Sequence, residues 1–282
     1  MLNIQEIKKL LKQNNIAILK KFGQNFLVSQ SVLNKIIETA NINPQDTILE
    51  IGPGLGVLTF ELAKKASKVI AIEKDRKMAE ILQKNLVKNN ISNVEVINED
   101  ALVPPHSSAW GRGVGRNPYK VVANLPYNIA TAVIMKFLES ENPPQQIVIM
   151  VQKEVAQRII ATPPHMNKLA IFCQLYSTPK IIDYVPPTAF YPKPKVDSAI
   201  LQLTPNGVRH MSDTCLTPLI NTGFSHPRKT LLNNLYEGRP NTASKEKIGQ
   251  WLLQNNINPN QRAETLSLEQ WQILAKQYPQ AS

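Results

Sequence analysis

Glu50, Gly52, Gly54 and Gly56 stand at alternate positions where the apolar run Thr47-Ile48-Leu49 gives out. This is the spacing of a ligand-binding turn between a buried strand and a helix. Glycine has no Cβ and takes positive φ, so a ligand can approach the backbone, and the helix behind the turn opens on N–H groups with no intrahelical partner. What is missing narrows the ligand. A dinucleotide fingerprint, Gly-x-Gly-x-x-Gly, needs its third glycine where Val57 stands. A phosphate loop would end in Gly-Lys-Ser/Thr, and this one does not. Glu73 ends the next apolar run about twenty residues beyond the glycines, where a Rossmann-type site places the carboxylate that binds ribose hydroxyls. Asp100 follows a third run, Val94-Glu95-Val96-Ile97. There it suits an adenine exocyclic amine, or else a turn or helix cap. Without these carboxylates the glycines would read as a tight turn with no ligand.

Such a site needs parallel strands with helices between them, and the remaining pattern supplies both. Helical stretches are expected at 58–65, 78–86, 129–138, 152–160 and 169–176, with strands at 68–73, 94–97, 120–123, 146–151, 180–185 and 199–203. This alternation implies an α/β fold with a mostly parallel sheet covered on both faces. Ser29 or Ser31 is the expected N-cap before Val32, Leu33, Ile36, Ile37 and Ala40. Ahead of it, residues 2–21 set Ile4, Ile7, Leu10 and Leu11 at helical spacing among lysines. This basic arm either follows a phosphate backbone or caps the main domain. Residues 103–119, rich in Gly, Pro and Arg, read as a flexible, positively charged excursion. From about residue 206 the strands stop, and 215–224, 228–235, 245–253 and 268–276 read as helices. Ser267 and Gln270 form a capping box, and Trp251 and Trp271 form a core. Domains are therefore expected at 1–205 and 206–282.

The chain has 282 residues with 32 basic against 21 acidic side chains, a formal charge of +11. That balance favours a polyanionic partner, nucleic acid before membrane. There is no apolar run of membrane-spanning length and no signal-peptide core, so a cytoplasmic location with no membrane partner is expected. Cys173 and Cys215 fit no metal-ligand spacing and read as reduced thiols, so no metal is expected.

The Glu-x-Gly-x-Gly-x-Gly loop resembles the first motif of Rossmann-like methyltransferases that use S-adenosylmethionine. Asn124-Leu125-Pro126-Tyr127 resembles the (Asn/Asp/Ser)-x-Pro-(Tyr/Phe) motif of those acting on exocyclic amines. An adenine N6 lone pair is delocalised into the ring. The Asn124 side-chain oxygen and the Leu125 carbonyl would each accept one N6 hydrogen and favour the pyramidal geometry that frees it. Pro126 fixes the backbone, and Tyr127 stacks on an unpaired or flipped base.

Taken together, these motifs resemble the rRNA adenine N6,N6-dimethyltransferase family. The likeness runs through residues 21–27, 50–56, Glu73, 99–101, 122–129, 150–156, 187–198, 228–231, 233–235 and 262–266. It implies a seven-stranded Rossmann-like domain with a small C-terminal helical rRNA-binding domain, and methyl transfer to N6 of two adjacent adenosines near the 3′ end of small-subunit rRNA. It also implies that Asn25, Leu27, Gly52, Gly54, Gly56, Glu73, Asp100 and Asn124 hold S-adenosylmethionine, and that Phe190 is a second aromatic wall for the base. The implied partner is rRNA in a partly assembled subunit, met by a monomer. An assembly factor that has lost methyl transfer, or a DNA adenine methyltransferase, would share parts of this pattern. The chain departs from the family pattern at 103–119, at 161–168, and at Pro227 and Leu232.

Overall fold

The computed structural model describes residues 3–14, 25–103, 109–115, 117–207, 215–238 and 243–276. Lys20, Lys21, Phe22, Gly23 and Gln24 of the expected arm and loop lie outside them, as do residues 104–108 and Arg116. The chain opens with α1 (Ile4–Gln13), whose first turn is closed by a reciprocal cap. Asn3 Oδ1 accepts the Glu6 N–H (2.9 Å), and the Glu6 carboxylate accepts the Asn3 N–H (2.7 Å). Ile7 and Leu11 pack against Phe26, Leu55, Met78 and Ile81. Of the two readings of the arm, this stretch takes the second: it is a cap, with Lys8 lying 5.4 Å above the Tyr191 ring.

Next come β1 (Phe26–Leu27), α2 (Gln30–Ala40), β2 (Thr47–Ile51), α3 (Val57–Ala63), β3 (Lys68–Ile72), α4 (Arg76–Lys88) and β4 (Val94–Ile97). They are followed by α5 (Ala109–Val114), β5 (Lys120–Asn124), α6 (Ala130–Leu138), β6 (Gln146–Gln152), α7 (Lys153–Ile159), α8 (Lys168–Tyr176), β7 (Ser177–Val185), β8 (Phe190–Tyr191) and β9 (Ser198–Pro205). Among the described residues the main sheet has seven strands in the order β4-β3-β2-β5-β6-β9-β7. The first five are mutually parallel, and β9 runs antiparallel to both its neighbours. Residues Ile48, Val69, Val122 and Val148 meet α2 and α3 on one face. Ile70, of opposite parity, meets Gly113 of α5 on the other. Strands buried on both sides are mostly apolar, which is why Ile48-Leu49 of β2 and Val69–Ile72 of β3 read as apolar runs.

The chain leaves β2 for β3 and β4 on one side, then returns to β5 and β6 on the other, so the order reverses between β2 and β5. Ligands of open α/β sheets bind at the carboxyl ends of the strands beside such a reversal. Gly52, Glu73, Asp100 and Asn124 all follow or end strands at that edge.

The excursion at 103–119 is not wholly loop. Ala109–Val114 forms a helix whose Trp110 is 1% exposed and lies 5.4 Å from Phe137, ring centre to ring centre. Glycine and arginine content concealed the single aromatic residue that anchors it.

The described chain divides into two compact units, 1–156 with 177–206, and 157–176 with 207–282. The second therefore takes residues 157–176 from the middle of the chain, a stretch that a boundary at 205 assigns to the first. Its other helices are α9 (Leu216–Gly223), α10 (Leu231–Gly238), α11 (Lys245–Gln254) and α12 (Leu268–Lys276). Trp271 is fully buried against Phe224 and Gly223. Ser267 and Gln270 exchange the two bonds of a capping box. Arg228 and Lys229 lie in the turn before α10 rather than in its first turn, and Lys229 pairs with Glu237.

Candidate active site

The cofactor half of the cleft is built by four strand ends. Gly52, Gly54 and Gly56 all take positive φ, between 56° and 86°. At Gly52 a Cβ would lie 3.3 Å from Cδ of Pro126, so the glycine lets the β2 and β5 loops touch. Gly56 serves packing instead. It is the left-handed cap of α3, a Cβ there would meet Leu82 at 2.6 Å, and it does not line the cleft.

Glu73 reaches from β3 to the glycine loop. One carboxylate oxygen accepts the Gly54 N–H (3.1 Å) and the other the Asp75 N–H (2.9 Å). A carboxylate oxygen accepts more than one hydrogen bond, so both retain capacity for a vicinal diol. Burial pushes the Glu73 carboxyl up, and these backbone bonds oppose the rise. The Asp100 pKa is lowered, first by Lys74, whose Nζ donates to it at 2.6 Å, and then by the Leu102 N–H at 2.9 Å.

Glu50 also lines the cleft, at the base of the glycine loop. It is 1% exposed, its Oε2 has no hydrogen-bond partner among the described residues, and burial raises its pKa to about 8. A buried acid with an orphaned oxygen, a second buried carboxylate with free lone pairs and a glycine cradle together fit S-adenosylmethionine, a nucleoside bearing a sulfonium and an ammonium. When bound, that group supplies a methyl carbon already activated by its sulfonium. The chain's task is then to position the acceptor nitrogen in line with it.

The acceptor half is the loop after β5. Asn124 Nδ2 donates to the Asn25 carbonyl (3.0 Å), which leaves the oxygen edge of the amide for an incoming N–H. Leu125 and Pro126 continue along the cleft wall. Tyr127 is half-buried, its hydroxyl lies 2.7 Å from Ser198 Oγ, and burial raises its pKa. Asn25 and Leu27 enter the same cleft because β1 pairs with β8, Leu27 opposite Phe190 and Phe26 opposite Tyr191.

Phe190 itself stands outside the cleft. It is 3% exposed and packs in the core with Leu27, Leu33 and Val122. In a strand successive side chains face opposite ways, and the register turns Phe190 inward and Tyr191 outward. Ser198, Lys136 and Glu50 take parts that motif reading did not assign them. Only Glu50 carried a signal, as the acid closing an apolar strand.

A mostly parallel sheet with a glycine loop and ribose-type carboxylate at its reversal, and an Asn-Leu-Pro-Tyr turn across the cleft, defines a Rossmann-like methyltransferase dependent on S-adenosylmethionine. The chain belongs to the ribosomal RNA adenine dimethylase family, whose model matches residues 15–280. It is 41% identical over 276 residues to ribosomal RNA small subunit methyltransferase A of Dehalococcoides mccartyi, covering 97% of this chain and 92% of that one. It is 42% identical to the protein of the same description from Alkaliphilus metalliredigens, covering 96% and 95%. Among solved structures it is similar to a dimethyladenosine transferase from Plasmodium falciparum, with a TM-score of 0.73 at 26% identity, covering 91% of this chain and all of that one.

Proposed function

We propose that this enzyme transfers methyl groups to N6 of two adjacent adenosines near the 3′ end of small-subunit rRNA, giving N6,N6-dimethyladenosine, and that it acts as a cytoplasmic monomer on a partly assembled subunit. The observation that carries the reading is the fixed Asn124 amide. Its nitrogen is tied to Asn25, and two residues on, Pro126 abuts the cofactor loop. A nitrogen held by Asn124 Oδ1 and the Leu125 carbonyl would meet the methyl donor at short range. These acceptors strengthen their hold as N6 becomes tetrahedral, which is how they lower the barrier. After one transfer a single N–H remains, and one acceptor suffices for it. The second transfer therefore follows without a residue to reset. The C-terminal unit and the positive charge would hold the RNA by its phosphates.

The test is methyl transfer to undermethylated small subunits, with free rRNA and DNA in parallel, followed by nucleoside mass spectrometry. Dimethyladenosine in small-subunit rRNA is expected. In Asn124→Ala, turnover should fall by about 10²–10³-fold, the scale set by loss of one transition-state hydrogen-bonding group, while cofactor affinity is largely kept. Monomethyladenosine alone, or modified DNA, would overturn the assignment; no transfer at all would favour an assembly factor.

A further inference from the structure

The loop that follows β4 lines the cleft through Glu99, Asp100 and Ala101, on the side where Asp100 is read as the partner of the adenine. Loops are held by whatever satisfies their carbonyls. Here that group comes from across the site, from α6, the helix that follows the Asn-Leu-Pro-Tyr turn. Lys136 Nζ donates to the carbonyl of Ala101 (2.8 Å) and to the carbonyl of Val103, and it lies 5.1 Å from the centre of the Trp110 ring. Trp110 is itself fixed against Phe137, the neighbour of Lys136 on α6. The turn is closed from its other side by Asp100, which accepts the Leu102 N–H and the Lys74 ammonium. Its first residue, Glu99, accepts the Ala109 N–H at the start of α5 (3.1 Å).

We propose that Lys136 is a positioning residue for the cofactor's adenine, holding the 99–103 loop in the shape that presents Asp100 and the Ala101 wall. Two carbonyls and an aromatic face are what an ammonium satisfies, and a neutral or shorter side chain leaves carbonyls without a donor. The charged groups around it are Glu99 and Asp100 on the loop and Lys74, which is paired to Asp100. Burial outweighs the two acids and lowers the Lys136 pKa to about 8. The loop's grip should thus weaken above that pH. The proposal rests on the adenine reading of this cleft.

The probe is 5′-methylthioadenosine, which carries the adenine and ribose but no ammonium or sulfonium, with binding followed by calorimetry. Wild type should bind it. Lys136→Met, which keeps the stem and removes the charge, should bind about tenfold or more weakly, the scale of a charge-assisted bond. Its KM for the cofactor should rise while its KM for RNA stays. Equal affinity in Lys136→Met and wild type would overturn the role of Lys136 and leave the cleft assignment standing. No binding by wild type would instead overturn the adenine reading. Should Lys136→Met fail to fold, Lys136→Gln takes its place, and Lys136→Arg, which keeps a charge at the carbonyls of Ala101 and Val103, should bind the probe more tightly than it. Equal affinity in Lys136→Gln and wild type would refute the proposal.

Discussion

At the scale of single residues, the cleft stores an electrostatic cost at one buried acid. Glu50 is sealed from water with one oxygen unpartnered, and its pKa is raised to about 8. In the unfolded chain it ionises as an ordinary carboxyl does, near 4.5. Between those values the folded state keeps a proton that the unfolded state has released, so Glu50 lowers the stability of the ligand-free protein progressively as pH rises through that window. Glu50→Gln cannot ionise, and its stability relative to wild type should grow from pH 5 to pH 8 by a few kcal/mol at most, at about 1.4 kcal/mol per pKa unit. Urea unfolding midpoints across that range provide the measurement; parallel curves for the two proteins would refute it. The strand-edge placement of Glu73, Asp100 and Asn124 was legible in the sequence because each ends or follows a strand, and a parallel sheet fixes where strand ends go. Phe190 was not. Which way a residue in a two-residue strand faces depends on the register with β1, 163 positions earlier for the pair Leu27 and Phe190.

At the scale of elements, chain order and hydrophobic period predicted the strands of the main sheet, and the errors fall where one long-range contact decides the outcome. α5 exists because Trp110 and Val114 are buried and Gly113 fits against Ile70; local composition there reads as loop. α9 and α12 make a sharper case. The end of α9 approaches α12 so closely that a Cβ on Gly223 would lie 2.3 Å from Cη2 of Trp271, a ring that is fully buried and cannot swing away. Gly223→Ala should therefore destabilise the protein by about 1–3 kcal/mol, the usual cost of overpacking, despite alanine's better helix propensity. Denaturant titration checks this, and a neutral or stabilising effect would mean that the two helices separate without cost.

At the scale of the whole molecule, strand and helix patterns show where elements lie but not which unit claims them: the expected boundary at 205 falls one residue from the division after 206, yet 157–176 goes with the second unit. Helix α8 contributes buried Ala170, Ile171 and Cys173. The stretch just before it donates the Met166 N–H to the Glu264 carbonyl at 2.9 Å. A fragment of 207–282 lacks both, and it should show no cooperative thermal transition by circular dichroism; a sharp transition would show the tail to be self-sufficient. The same interleaving bears on how the protein is made. Translation delivers α8 a hundred residues before the end of α12, so at roughly 5–20 residues per second α8 emerges some 5–20 s ahead of its last helical partner. Through that interval the nascent chain carries an apolar helix whose own unit is still unfinished, so assembly of the C-terminal unit waits on the final stretch of synthesis.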